Sequence, residues 1–480
     1  MNIRLPPPTL FVFMLIVLAS AALRYTGLGY DLPHAYNPDD LYTMDQAVSV
    51  AGGAFPAITR RGFLAPLMIG ATMRVASTFS SLKNVRGTFQ EAYVADKTPF
   101  FLIGRGIIAS FSVATIIVLF FLALSLVGEG GALLSTAVLA VNLLEIQYAH
   151  EIYADTVLMF ATTLMLYFLV RAHARWHPVL LGFAFISLGI AMAVQITALL
   201  FLPLFFLLSI RVLRESSLPH RKKINLLLII MVITVAAVIL LAPALVARLH
   251  EFQTGKWLAP ADPYVDPLGL PAATTYKEHV VSYLLWLRDS VNTLPFVMVV
   301  VGVFVAITKR NRFAPVLCGF TLWYFLVIAT ALPDWNILLL PILPIMSLFA
   351  GLGCIALYRF LVRAVRVKAV GMILVASLFV PATIKAFWFA HSYTVPDTRT
   401  LEAKWFTDHS VDESRVARDG FTSITLPPPN RLTSKLTRSE LQSLDYVVLS
   451  SWYSRHFSEP WRNTPKLARF YTDIEDSYTR

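Results

Sequence analysis

"FLIGRGIIASFSVATIIVLFFLALS", residues 101–125, carries a single charge, Arg105, in an otherwise apolar run. A membrane crossing needs roughly 17–25 mostly apolar residues. The run therefore reads as a span with a cation at its first turn. Similar runs lie near 9–26, 131–147, 156–171, 179–194, 197–211, 224–248, 290–308, 313–331, 336–357 and 369–390. With 101–125 they make about eleven transmembrane helices. The stretch 179–211 reads as two short helices broken near Gln195, or as one long tilted helix. Composition agrees: 57% of the 480 residues are hydrophobic, 14% are charged and mean hydropathy is +0.65. Soluble domains hold about 25% charged residues. Cys318 and Cys354 both fall inside apolar runs and read as small buried hydrophobes, not as a disulfide or metal framework.

The net charge of +11 does not point to nucleic acid, because the basic residues sit in loops between apolar runs. Arg171 and Arg175 lie in one such loop; Arg211, Arg214, Arg221, Lys222 and Lys223 lie in another. Lys309, Arg310 and Arg312, then Arg359, Arg363, Arg366 and Lys368, complete the set. All face one side if the N-terminus is cytoplasmic, as the positive-inside rule requires. An odd number of spans then places the C-terminus outside. Residues 1–23, with Arg4 and "ASAA" at 19–22, also have the layout of a secretory signal. Either reading leaves residues 27–100 on the outer side.

The expected organisation is a membrane domain over 1–390 and a cap over 391–480. The first outer loop, 27–100, holds two helical segments, 40–52 and 62–79. The second has an apolar face suited to lying in the interface. In the cap, "SRVARDGFTSITLPPPN" (414–430) and "LDYVVLSSWYS" (444–454) read as strands closed by Gly and Pro turns. A small α/β domain follows from them. No internal repeat of fixed period is present.

Ionisable residues at membrane depth mark function or pairing, and here they gather at the outer ends of the helices. Asp39, Asp40 and Asp45 come from "NPDDLYTMD" (37–45); His150, Glu151 and Asp155 come from "YAHEIYAD" (148–155). Glu151 and Asp155 share a face if that stretch is helical. Arg105 sits at the outer mouth of its span, and Lys97 lies just before it. A carboxylate can take a proton from an attacking hydroxyl, and an Arg fork suits a phosphate. Plainer roles compete with these. Asp39 can cap the helix 40–52, Asp155 can cap the fourth span, and Arg105 can anchor a helix end among headgroups. Lys385 is the one charge away from the outer mouths, close enough to an end to snorkel.

Taken in order, these phrases resemble the GT-C superfamily of membrane glycosyltransferases, in the branch shared by protein O-mannosyltransferases and lipid A aminoarabinose transferases. "YNPDDLYTMDQA" (36–47) resembles the family's acidic pair in the first outer loop. "GRGIIASFSVATIIVL" (104–119) resembles the Arg that opens the second span, and "YAHEIYADTVLMFATTL" (148–164) resembles a "YSHxxxxD" phrase. "ILLLPILPIMSLFAGLG" (337–353) resembles "LLPLLP", and "LDYVVLSS" (444–451) matches a cap strand. The order and spacing of these phrases carry the resemblance, over most of the chain.

The resemblance implies an inverting glycosyltransferase of the cell inner membrane, with a GT-C fold. It would move a hexose or pentose from a polyprenyl-phosphate donor to a glycan, lipid or protein acceptor at the outer face. It implies Asp39 as catalytic base, supported by Asp40, and Asp155 with His150 and Glu151 in the acceptor or metal region. Arg105 falls near the donor phosphate. Metal dependence stays open, with Asp39 and Asp155 as the pair that would hold a divalent ion. Three positions depart from the family: Asp40 stands where Glu is usual, Gln195 where many relatives carry Lys, and Asp334 near a usual basic position. The missing positive charge would then come from Arg60, Arg61 or Lys97. A transporter of lipid or glycan, or a scaffold presenting the cap, are the rival classes. Neither gives a reason for acids and bases to converge at helix mouths, and no paired halves of the transporter kind are visible.

Overall fold

The computed structural model describes residues 5–56, 62–79, 88–175, 178–215, 276–308, 313–330, 336–409, 416–418 and 444–448, with isolated positions between 219 and 232. The expected span 224–248 and most of 410–480 lie outside the described residues.

The first apolar run forms α1 (Pro7–Tyr25), and Pro is tolerated in its first turn because the amide it lacks would have no partner there. The loop after α1 then folds as α2 (Pro38–Ala51), α3 (Leu64–Phe79) and the short α4 (Phe89–Ala95). The two helices expected in this loop, 40–52 and 62–79, are α2 and α3. α4 was not foreseen; a complete capping box between Thr88 and Glu91 starts it.

α5 (Thr98–Ala140) is the longest helix, and at 1.5 Å per residue a straight rod would reach about 65 Å. No bilayer is that thick. Gly128, with φ 79° and ψ 178°, breaks it into two arms. The first arm covers the span expected at 101–125, while the one expected at 131–147 is divided between the second arm and the next helix. The second arm stops at Ala140, where Asn142 caps α6 (Leu143–Ala149) by accepting from Glu145 N at 3.0 Å. α7 (Ala154–Arg175) and α8 (Pro178–Val194) follow. The chain breaks at Gln195, in extended conformation, into a 3₁₀ turn over Ile196–Phe201 and then α9 (Leu202–Glu215). Of the two readings of 179–211, the broken one holds.

Beyond the next described stretch come α10 (Tyr276–Val291) and α11 (Thr293–Thr308), bent by 107° at Asn292. Then come α12 (Ala314–Ile328), a 3₁₀ turn over Asn336–Ile342, and α13 (Leu343–Val365). α14 (Lys368–Ser377) and α15 (Val380–Ser392) together make the last apolar run. Among the described residues, six helices are long and apolar enough to cross a membrane, or seven with the bent pair taken as one; Val179–Val194 and Ala314–Ile328 are shorter apolar helices. Outside the apolar part, α16 (Thr398–Asp408) precedes a parallel pair of strands, β1 (Val416–Arg418) and β2 (Tyr446–Val448). Both strands fall in segments expected to be extended.

In lipid, no hydrophobic force drives helices together, so close backbone approach must do so. A Cβ on Gly302 of α11 would sit 1.8 Å from the Phe349 carbonyl oxygen of α13; one on Gly353 would sit 2.1 Å from that of Met298. α13 is therefore the axis against which α5 and α11 pack. A buried ion pair pins the bundle at one end. Arg24 of α1 pairs with Glu145 of α6 and donates to Ser112 Oγ of α5 at 2.5 Å, all three without solvent exposure. Its guanidinium also donates to the carbonyls of Ser20 and Ala140, at 3.1 and 3.0 Å. The Arg24, Ser112 and Glu145 side chains thus answer one another, as burial in hydrocarbon demands.

Replacing Gly302 with Val should cost about 1–3 kcal/mol or more, because backbone cannot yield as a side chain can. Thermal unfolding in detergent followed by size-exclusion chromatography would show a lower Tm and loss of the monodisperse peak.

Candidate active site

The loop before α2 is built around Arg105. Its NH1 donates to the carbonyls of Leu28 and Tyr30 at 3.0 and 2.8 Å, and its NH2 to Asp31 Oδ1 and Asp40 Oδ2 at 3.0 and 3.3 Å. The guanidinium lies 4.1 Å from the Tyr30 ring centroid and 5.4 Å from that of Phe101. The residue has no solvent exposure, which removes the headgroup-anchor reading. The fork is committed to the protein's own carboxylates and carbonyls. Its Nε–H is the one guanidinium group left without a protein partner. The donor phosphate placed beside Arg105 by the sequence reading would find it already engaged.

Asp40 is the centre of this arrangement. It is fully buried, and its Oδ1 accepts from Ile152 N at 2.8 Å while Oδ2 accepts from Arg105. Burial pushes its carboxyl up to about 7, against the pull of the Arg105 guanidinium and the Ile152 N–H. The same contacts tie three segments together: α2, the N-terminal part of α5 and the α6–α7 turn. Asp31 is held likewise, accepting from Tyr36 N at 2.9 Å through its second oxygen. The backbone here is strained, with positive φ at Asp31 (57°) and at Ala35 (54°). Such conformations persist where the surroundings over-determine them.

Asp39 lies one residue on and is only half-buried. Successive helical positions are turned by about 100°, so the two carboxylates of the pair cannot point the same way. The cap of α2 is Asn37, whose Oδ1 accepts from Asp39 N at 3.0 Å. The capping role offered as an alternative for Asp39 thus belongs to its neighbour. The Asp39 charge bears on Tyr148, Tyr153 and Glu151, three groups of the α6–α7 region. Burial, then the surrounding carboxylates, push both tyrosines well above the usual phenol range. Glu151 is pushed well above the carboxylate range, by burial first and by Asp40 second.

Asp155, nearly buried in the first turn of α7, accepts from Gln195 Nε2 at 2.9 Å. The carboxylate is thus fixed by a neutral amide that adds no charge. Tyr148 OH donates to Asn336 Oδ1 at 2.6 Å, which brings in the 3₁₀ turn before α13. Asp39, Glu151, Asp155, Tyr148 and Tyr153 therefore meet on one side, with Asp40 and Arg105 behind them. Asp31, Asn37, Tyr148, Tyr153 and Asn336 were not singled out from sequence. The two tyrosines flanking His150–Ile152 were the available signal.

His150 belongs to the wall of the site. Its Nδ1 lies 2.8 Å from Ile146 O, its Nε2 2.8 Å from Thr26 O, and its ring stacks on Tyr393 at 4.0 Å. Burial lowers its basicity. Neither ring nitrogen is left for a metal. Nor do the described residues contain three His, Cys, Asp or Glu side chains converging as ligands. Asp39 and Asp155, the pair left open as holders of a divalent ion, therefore have no third such ligand beside them among the described residues. Lys97 stands apart at the start of α5, half-buried, with its Nζ 5.8 Å from the Tyr93 ring centroid. Arg60, Arg61 and Asp334 lie outside the described residues.

Residues 105–241 match the family model described as dolichyl-phosphate-mannose-protein mannosyltransferase. In fold, the chain is similar to ArnT from Cupriavidus metallidurans bound to undecaprenyl phosphate. The TM-score is 0.53 at 14% identity, over 83% of this chain and 72% of that one. It is also similar to the oligosaccharyltransferase AglB from Archaeoglobus fulgidus, in complex with an inhibitory peptide and a dolichol-phosphate. There the TM-score is 0.53 at 11% identity, over 88% of this chain and 60% of that one. No curated protein matches in sequence. The fold is that of the polytopic GT-C membrane proteins.

Removing Arg105 should leave Asp31 and Asp40 buried without a counter-charge. Arg105→Gln is expected to lose about 3–5 kcal/mol, read as a large drop in Tm in detergent. A drop of that size marks the residue as structural before any effect on turnover is considered.

Proposed function

We propose that this chain is a glycosyltransferase that takes a sugar from a polyprenyl-phosphate donor and passes it to an acceptor hydroxyl at the outer face of the membrane. One observation carries the reading. Asp39 is half-exposed beside a second carboxylate and two tyrosines, while its neighbour Asp40 is locked behind it by Arg105. Helix capping does not require that division, since Asn37 already caps α2. The GT-C fold and the family match over 105–241 agree with it.

In this reading an Asp39 oxygen takes the acceptor's hydroxyl proton. The acceptor oxygen attacks the anomeric carbon from the face opposite the phosphate. The bond to the phosphate oxygen breaks with its electron pair, leaving polyprenyl phosphate and an inverted glycoside. A positioned base contributes roughly 10²–10⁴-fold to such a step. Tyr148, fixed by Asn336, and Asp155, fixed by Gln195, offer hydrogen-bonding groups for a sugar or acceptor. Arg105 holds Asp40 and the loop in place instead of gripping the donor. Neutralising the leaving phosphate, the kind of electrostatic help that often dominates catalysis, falls to Lys97 at the rim, and to Arg60 and Arg61 on sequence grounds. Residues 1–390 form the catalytic membrane domain and 391–480 the outer cap, with the N-terminus inside. No step is routed through a metal.

The deciding experiment offers purified protein a panel of labelled polyprenyl-phosphate sugars and follows release of the lipid phosphate. Asp39→Asn should lose about 10²–10⁴-fold in transfer with Tm unchanged; near-normal transfer would remove Asp39 as the base. Lys97→Ala should lower kcat/KM for the donor about tenfold, the worth of one charge-assisted contact, with kcat falling as well, because the charge it answers grows as the bond to phosphate breaks.

A further inference from the structure

We propose that Arg399, on α16 outside the apolar helices, is a positioning residue for Asp39. The inference rests on the reading of Asp39 as base and adds a role for the outer polar segment. The contacts run in an unbroken line. Asp397 caps α16, and its two oxygens take the Arg399 guanidinium at 2.8 and 2.7 Å. So held, the guanidinium lies 4.4 Å from the centroid of the Tyr36 ring. Tyr36 OH also meets Thr400 Oγ1 at 3.3 Å, so one helix turn grips both face and tip of this ring. His34 stacks on the same ring, with centroids 5.5 Å apart.

Tyr36 is buried and stands three residues before Asp39, with only the cap residue and a proline between. Its backbone N–H donates to Asp31, the carboxylate that also takes Arg105. The loop entering α2 is thus fixed at two ends: from the membrane side by Arg105, and from the outer side by Arg399. The inner clamp fixes Asp40. The outer clamp fixes the direction from which the chain enters the helix, and so where Asp39 points. The positive φ at Ala35 lies inside this grip. A backbone of that kind relaxes when its restraints are released.

The test compares Arg399→Ala with Arg399→Lys in the full chain. Arg399 is partly exposed, with its side chain at 26%, so loss of folding is not expected. Amide hydrogen exchange should rise at least tenfold over residues 34–42 in Arg399→Ala and stay unchanged in α7 and α13. With a sugar donor that wild type consumes, kcat should fall about tenfold at unchanged donor KM, and Arg399→Lys should recover part of it by restoring a cation over the ring. Thr400→Val, which removes only the contact to the ring's tip, should give a smaller change of the same kind. Unchanged exchange over 34–42 overturns the clamp. Raised exchange with unchanged kcat overturns its bearing on Asp39, while the base itself stands. If wild type consumes no polyprenyl-phosphate sugar at all, the reading of Asp39 fails and the positioning role falls with it.

Discussion

A guanidinium sealed from water has to be answered from within the protein. Arg105 is answered by two carboxylates and two carbonyls, and this end of the helices is organised around that requirement. Losing either side of such a pair leaves an uncompensated charge in low dielectric, a cost far above that of a surface ion pair. The loop from Leu28 to Asp31 therefore cannot drift, nor can the start of α2. Because Asp40 also takes the Ile152 amide, the α6–α7 turn is drawn to the same point. Adjacent helical positions diverge, so burying Asp40 leaves Asp39 directed elsewhere. Of the pair, Asp40 is sealed within the network and Asp39 is half-buried beside it.

The second buried cation, Arg24, repeats the solution on a different set of elements. It joins α1, α5 and α6 through Glu145 and Ser112. Both networks use a charge that lipid would expel to fix helices that lipid alone would not hold together. The chain breaks its helices in the same spirit. At Gln195 and at Asn336 regular helix gives way, and each break places an amide against a side chain of the candidate site, Asp155 in one case and Tyr148 in the other. Irregular backbone is tolerated at such depth where protein or a cavity surrounds it. These breaks therefore lie where a chamber would be.

Much of the fold was legible because lipid imposes a simple rule on composition. Runs such as 101–125 announce themselves, and the outer helices 40–52 and 62–79 showed through their punctuation and their apolar face. The break at Gln195 was visible as an interruption. What the sequence could not show was pairing. The partners of Arg105 lie 74 and 65 residues upstream, so a lone Arg at a span's mouth looks the same whether it awaits a phosphate or is already bound to its own loop. Arg24 and Glu145, 121 residues apart, passed unnoticed for that reason. Asn37 was hidden differently: two aspartates and a proline drew attention from the better cap beside them. His150, a plausible ligand by type, is a wall residue because both nitrogens meet carbonyls.

The charge balance of the chamber constrains how any lipid-phosphate donor could sit, if the function is as proposed. Arg105 faces two carboxyl groups, so its positive charge is already answered within the protein. Asp155 accepts from the Gln195 amide, and Asp39 and Glu151 lie on the same side. A phosphate pushed inward would meet these acids at low dielectric, where like charges repel strongly. It is better placed at the rim, near Lys97 and the headgroups, where water screens it. Only the sugar would then enter, and hydroxyls are what carboxylates, amides and phenols bind well. The separation has a chemical use. Breaking the bond between sugar and phosphate moves negative charge outward, away from the base that has just gained a proton, so the electrostatics of the chamber favour departure of the leaving group.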